Sequence, residues 1–481
     1  MPIRLLAAIL LSLLVSAPED SSAGFHGAAW WSSAVATAFL AAVGLGLWGS
    51  LTRRIRRTTD IESLFAWYGR AMALYAWLAI VLYAAVVFLG GWAEAVFAWL
   101  PPWRGTDLWI PQRLLILAPY LWLVLITWVI GYRMSSAVRR AAEIGWSGRR
   151  WQVRLGRYLV FQMRTQWLVF LVPYGFVLAC HNVAVVVWGS LSAEVETVVL
   201  AAPMILVYVL SPWLLRMVWS TSRLPDGPLR QRLEAAARRA GVHVRDILVW
   251  RTEGLMVNAC VAGLGRLVRY VFLTDALIES LQPVQVEAVF AHELGHARFR
   301  HIPFFFVVAV GGGVGMSLVA SALDALRLPG VVTLGGGVVF LAGYWLGFFG
   351  FLSRRFERQS DLFAARTVDC PGRWIDGGCA IHRPESDAAA DPYYICGHQA
   401  WAFASSLELI AMLNGMATRA RSWRHFGIAR RIRFVHEAVG RPDLVRRYDR
   451  RLRLLKWVFL AVVLAATAAI ALLSGIASGL P

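Results

Sequence analysis

Cysteine is scarce in this chain: five residues in 481 do not make a disulfide scaffold. Lysine is nearly absent, because almost all of the 48 basic residues are arginine, a bias that reads as bacterial. Acidic residues are also few, 29 against 48 basic, which leaves a net charge of +19. No RNA- or DNA-binding signature accompanies that excess, so nucleic acid is not the expected partner. The spans lack the paired intramembrane charges that a transporter tends to use. The short outside loops predict no extracytoplasmic sensor domain.

What the chain has in abundance is apolar sequence. Its hydrophobic fraction of 58% exceeds that of a soluble globular protein. Apolar runs near 20 residues recur, as in a multi-spanning membrane protein. Spans are predicted near 29–51, 67–89, 114–132, 159–188 and 197–215. Between them, residues 52–60 carry Arg53, Arg54, Arg56 and Arg57, and residues 133–157 carry Arg139, Arg140, Arg149, Arg150 and Arg154. The loops 90–112 and 189–196 are nearly neutral and acidic, respectively. By the positive-inside rule the two basic loops, and hence the segment after residue 215, are cytoplasmic.

That segment holds the stretch 288–300, AVFAHELGHARFR, with His292, Glu293 and His296 in an HExxH pattern. Positions i and i+4 of a helix share a face, so both imidazoles can grip one metal ion. Glu293 lies beside them, placed to accept a proton from water. Two helical His ligands with such a Glu describe a zinc metalloprotease centre. The same residues also read as a helix with two satisfied histidines. Upstream, 228–240 reads as a helix stopped by Gly241. Residues 247–250, 256–262 and 270–274 read as strands of a small antiparallel sheet. Pro283 suits the first turn of the helix that carries the motif.

A hydrolytic zinc site needs a third protein ligand. Ile302 occupies the position where a metzincin has its third His, and His301 is out of register. Two apolar stretches, about 302–326 and 331–352, form a hairpin that returns to the starting side. Just after it comes Glu357, the expected third ligand. Asp361, one turn further on the same face, can accept the outer N–H of a ligand His. The alternative is that Arg354, Arg355, Glu357, Arg358 and Asp361 form a charged juxtamembrane face. Residues 369–397 are irregular and hold Cys370, Cys379, His382 and Cys396, with His398 next. A second metal site there is conceivable, but the spacing matches no zinc pattern, and a plain loop is the default.

These motifs carry a resemblance. HELGH at 292–296, a two-span hairpin, and SRRFERQSD at 353–361 resemble the integral-membrane zinc metalloendopeptidases that include CaaX prenyl protease 1 and HtpX. The likeness runs from about residue 225 to 433, less the loop at 369–397. It implies Glu357 as third zinc ligand and Asp361 as the support of a ligand. Where the family usually has Ala before the Asp, this chain has Ser360. Asn258 and Ala259 match the family's edge strand, which pairs with the substrate backbone. His425 and Arg431 match a His and an Arg placed near the cleaved carbonyl, although Phe426 and Gly427 replace the usual prolines.

The expected fold is a polytopic α-helical membrane protein with a zincin-like α+β metalloprotease domain on the cytoplasmic side. Residues 1–24 are either a signal-like segment or a short first span, and 25–219 hold about five transmembrane helices. Residues 220–301 form the first half of the peptidase domain, 302–352 the hairpin, 353–454 the second half, and 455–481 a last span. The expected activity is hydrolysis of peptides or membrane proteins at the cytoplasmic face of a bacterial inner membrane, with one Zn2+ per chain and a quality-control role. The lipid bilayer is the other partner. The competing readings are a zincin-type signalling receptor and a catalytically silent membrane scaffold.

Overall fold

A computed structural model describes the chain except residues 1, 16–25, 107, 142–152, 375–377, 380, 383–390, 420–425 and 479–481. Among the described residues, eight helices are long and apolar enough to cross a membrane. The chain divides into two compact units.

Unit 1 comprises Met1–Thr221 with Trp250–Met256 and Met412–Ala417. Its helices are α1 (Pro2–Leu13), α2 (His26–Arg57), α3 (Ile61–Phe88), α4 (Trp92–Trp99), α5 (Ile110–Ala141), α6 (Leu155–Gln162), α7 (Val169–Trp188) and α8 (Ala193–Val218). At a rise of 1.5 Å per residue, the 12 residues of α1 reach about 18 Å, short of a ~30 Å hydrocarbon layer. It packs Leu5, Ala8 and Ile9 into the core of the unit. The buried Arg113 of α5 donates to the carbonyls of Ser12 (2.5 Å) and Val15 (2.9 Å) at its end. Those carbonyls have no partner within a helix, so the guanidinium satisfies them. The helix α3 begins at Asp60, whose carboxylate accepts from the amides of Glu62 and Ser63. Between α6 and α7 a π-helical turn, Met163–Leu168, widens the fourth long span. Large side chains such as Leu74, Val81 and Trp122 stand exposed on these helices, which suits lipid rather than water.

Unit 2 comprises Ser222–Val249, Val257–Ala411 and Thr418–Pro481. Its sheet is built from β1 (Thr221–Arg223), β2 (Asp246–Trp250), β3 (Ala259–Ala262) and β4 (Tyr270–Thr274) in the order β1-β2-β4-β3. The fully buried YVFLT of β4 takes an inner place, and β3 lies at one edge, antiparallel to β4. The helices are α9 (Pro228–Arg239), α10 (Asp275–Ser280), α11 (Pro283–Arg298), α12 (His301–Ala325), α13 (Gly330–Ala342), α14 (Gly350–Thr367), α15 (Gly397–Leu413), α16 (Ile428–Ala438) and α17 (Pro442–Ser478). Strand β1 is missing from the sequence reading because three residues are too few for an alternating pattern. The second half of the peptidase region thus also holds α16 and the start of α17.

Helices α11 and α14 pack against each other at close range. A Cβ placed on Gly295 would lie 3.0 Å from the Cα of Ser360, so glycine permits that approach. The core beside them joins Ala288 and Ala291 of α11, Leu362 and Ala365 of α14, and Ala400 and Phe403 of α15.

Candidate metal centre

His292 and His296 lie one turn apart on α11, with their Nε2 atoms 3.3 Å from each other. From α14, Glu357 brings Oε2 to 3.6 Å of His292 Nε2 and Oε1 to 3.7 Å of His296 Nε2. Tetrahedral donors about 2.0–2.1 Å from zinc stand roughly 3.4 Å apart, so this triangle of donor atoms fits one small cation. Two imidazoles and a carboxylate are also a donor set that zinc accepts.

The outer nitrogens of both rings meet polar groups. Asp361 Oδ1 lies 3.0 Å from His292 Nδ1, a charge contact on the outer nitrogen of that ring. Arg431 of α16 grips the same carboxylate through both oxygens, at 2.9 and 2.6 Å, and its guanidinium is 3.6 Å from Glu357 Oε2. His296 Nδ1 lies 3.0 Å from Nδ1 of His301. His301 Nε2 is in turn 3.0 Å from Gln359 Oε1, and Gln359 Nε2 donates to Asp449 Oδ1 at 2.8 Å. The sequence reading sets His301 aside as out of register. Arg300, at φ +54°, turns the backbone left-handed and starts α12 at once, which folds His301 back onto His296.

Glu293 points to the edge strand, where its Oε2 accepts the amide of Val261 at 3.0 Å. Burial, which disfavours its charged form, raises its pKa to about 7, and the charge of Glu357 adds to the rise. Burial likewise lowers His296, to about 4. For His292 burial also acts to lower the pKa, but the Asp361 carboxylate outweighs it and the net direction is upward.

Ala259 pairs with Leu273 of β4 and Val261 with Val271. Because Val261 turns its amide to Glu293 and strand groups alternate, Ala259 and Val261 face the free edge. Asn258, just before β3, directs its own amide and carbonyl to Thr274, and its side chain is exposed. Of the residues singled out from sequence, the structure therefore brings together His292, Glu293, His296, Glu357, Asp361 and Arg431, with Ala259 on the strand that Glu293 touches and Asn258 just before it. His425 lies outside the described residues. The sequence reading does not reach the Val261 amide, which no side-chain motif encodes, the His301–Gln359–Asp449 chain, or Phe403 of α15, whose ring flanks that of His292 at 6.3 Å.

Residues 223–377 match the model of the family described as Peptidase family M48. A CAAX prenyl protease 1 homolog from Arabidopsis thaliana is 31% identical over 162 residues, which cover 30% of this chain and 37% of that protein. A protease HtpX homolog from Aeropyrum pernix is 30% identical over 141 residues, covering 29% of this chain and 42% of that protein. The chain thus spans about two fifths of the length of each. The crystal structure of S. mikatae Ste24p superposes with a TM-score of 0.52, covering 85% of this chain and 98% of that one. At 15% sequence identity that likeness is one of fold.

Proposed function

We propose that this chain, which carries a peptidase family M48 domain among membrane-crossing helices, is a zinc-dependent endopeptidase. Its substrates are membrane proteins or peptides, cut at the cytoplasmic face. The observation that carries the reading is the triangle of His292, His296 and Glu357 donors with the Glu293 carboxylate beside it.

A zinc ion held by these three residues would supply Lewis acidity and lower the pKa of water from ~16 toward ~7. Glu293 takes the proton from the attacking water and delivers it to the leaving amine. The Val261 amide fixes the carboxylate for both transfers. The substrate lies extended along β3, pairing with the outward backbone groups of Ala259, and Asn258 flanks it. Arg431 acts through Asp361: its two-pronged grip aims that carboxylate at His292. His425 remains the donor assigned to the developing oxyanion, on the strength of its spacing from Arg431.

The arginines of residues 52–60 and 133–157 support the cytoplasmic orientation, and with it an inner-membrane location. A quality-control role rests on the sequence resemblance to HtpX rather than on any feature of the site. The test is one purification in detergent. Zinc per chain is measured, then cleavage of an unfolded membrane protein with and without a chelator. Zinc-dependent cleavage is expected. A zinc-loaded, folded protein that cuts no peptide bond would sink the proposal.

A further inference from the structure

We propose that Cys370, Cys379, Cys396 and His398 form a second metal site, structural in role, which binds zinc between the end of α14 and the start of α15. One ligand atom from each of the four lies within 4.8 Å of all the others. The three thiols are free and buried, and Cys370 Sγ is 3.5 Å from Cys396 Sγ. A disulfide requires about 2.05 Å. Thiolates about 2.3 Å from zinc stand roughly 3.8 Å apart in a tetrahedron. The observed spacing is that of co-ligands rather than of a bond.

The backbone is arranged for the same purpose. Gly372 directs its amide to the sulfur of Cys370, and the Gln399 amide donates to Cys396 Sγ at 3.4 Å. Such donors support negative sulfur. The amide of Arg373 bonds the Cys370 carbonyl and that of Cys379 bonds the Gly372 carbonyl, which closes the loop around the thiols. The imidazole of His398 lies directly against Gly372. A Cβ at residue 372 would sit 2.8 Å from its Cγ and Nδ1, so only glycine lets the ring reach the sulfurs. His382 Nδ1, 3.3 Å from Cys379 Sγ, is placed to donate to that ligand from outside. Three cysteines and one histidine are a closed structural donor set for zinc. The spacing hides it, because 8, 16 and 1 residues separate the ligands in turn and no paired Cys-x-x-Cys announces them.

The site ties the end of the helix bearing Glu357 to the start of the helix bearing Phe403. Ala400 and Phe403 pack on Ala288 and Ala291 of the HExxH helix. Zinc here would hold the wall behind His292 in place without touching the substrate.

Metal content and cobalt spectra of the full chain in detergent test this. Wild type should hold two zinc ions per chain. Exchanged with cobalt, it should show the thiolate-to-cobalt charge-transfer absorption that two imidazoles and a carboxylate cannot produce. The double variant His292→Ala, His296→Ala should keep one metal and the full band. Cys396→Ser should lose at least a third of the band, His398→Ala should weaken it through lost metal, and His398→Cys should restore it. The site is overturned by a band of undiminished intensity in Cys396→Ser, or by a wild type with a single metal that His292→Ala, His296→Ala abolishes. It is equally overturned by a Cys370–Cys396 disulfide in the isolated protein. If Cys396→Ser does not fold, the wild-type and His292→Ala, His296→Ala spectra decide. Peptidase activity does not enter these readouts, so the hydrolase reading can stand or fall separately.

Discussion

His301 and His296 face each other through their Nδ1 atoms at 3.0 Å, and only one of the two can carry the proton. Asp449 settles which. Its carboxylate accepts from the amide nitrogen of Gln359, so the Gln359 carbonyl oxygen faces His301 Nε2, which must then donate. His301 Nδ1 is left bare and accepts from His296 Nδ1. The lone pair of His296 Nε2 is thereby aimed at His292 and Glu357, where a metal ligand needs it. Gln359→Leu or His301→Ala should therefore weaken zinc binding about 10–100-fold although neither removes a ligand. Competition with a chelator measures the affinity. An unchanged dissociation constant in both variants would refute the relay.

Glu293→Gln should retain zinc and lose turnover, by at least the 10²–10⁴-fold typical of a general base. The glutamine still accepts from the Val261 amide at the same place, so the fold around the strand is kept. Metal content and peptidase rate, measured on one preparation, check this. A variant that cuts at the wild-type rate would remove Glu293 from the mechanism.

Much of this architecture was legible in the sequence because its signals are local. Apolar runs of membrane length marked the long helices. His292 with His296, and Glu357 with Asp361, sit one helical turn apart, so each pair's common face follows from spacing alone. What escaped was non-local or backbone-borne. The left-handed turn at Arg300, which folds His301 back onto His296, leaves no trace in ligand spacing. The amide of Val261 belongs to no side-chain pattern. The cysteines of 370–396 meet only because a loop closes around Gly372. The π-helical turns at Met163–Leu168 and Gly343–Phe349 leave no mark in hydrophobic periodicity.

Zinc uptake should release protons, and their source follows from the ring environments. His296, lowered to about 4 by burial, is already neutral near pH 7 and gives up nothing. His292, raised by Asp361 against the effect of burial, must lose its proton, and Glu293 at about 7 loses one to the nearby cation. Protons then compete with metal, so affinity falls as pH drops below about 7, long before His296 protonates. Between pH 6 and 7, Glu293→Gln should cut the proton release by up to one per zinc. Calorimetry in buffers of different ionisation enthalpy counts these protons. An affinity flat from pH 7.5 to about 5 would contradict the assignment.

Gly295 and Ser360 govern how closely the two ligand-bearing helices approach. The Cβ of Gly295→Ala would meet the Ser360 Cα at 3.0 Å, a backbone atom that cannot swing aside. The helices would have to separate by tenths of an ångström, at a cost of about 1–3 kcal/mol. Because Glu357 rides on the displaced helix, zinc affinity should fall along with stability. Ser360→Ala acts in the opposite sense. The Ser360 hydroxyl is buried with no hydrogen-bond partner among the described residues, so deleting it removes an unsatisfied polar group. Its melting temperature should equal or exceed that of wild type, by an amount worth up to ~1 kcal/mol, with metal content unchanged. Thermal unfolding of both variants in detergent decides. Destabilisation by Ser360→Ala would mean that the hydroxyl finds a partner, and tolerance of Gly295→Ala would mean that the helix contact is looser than 3.0 Å implies.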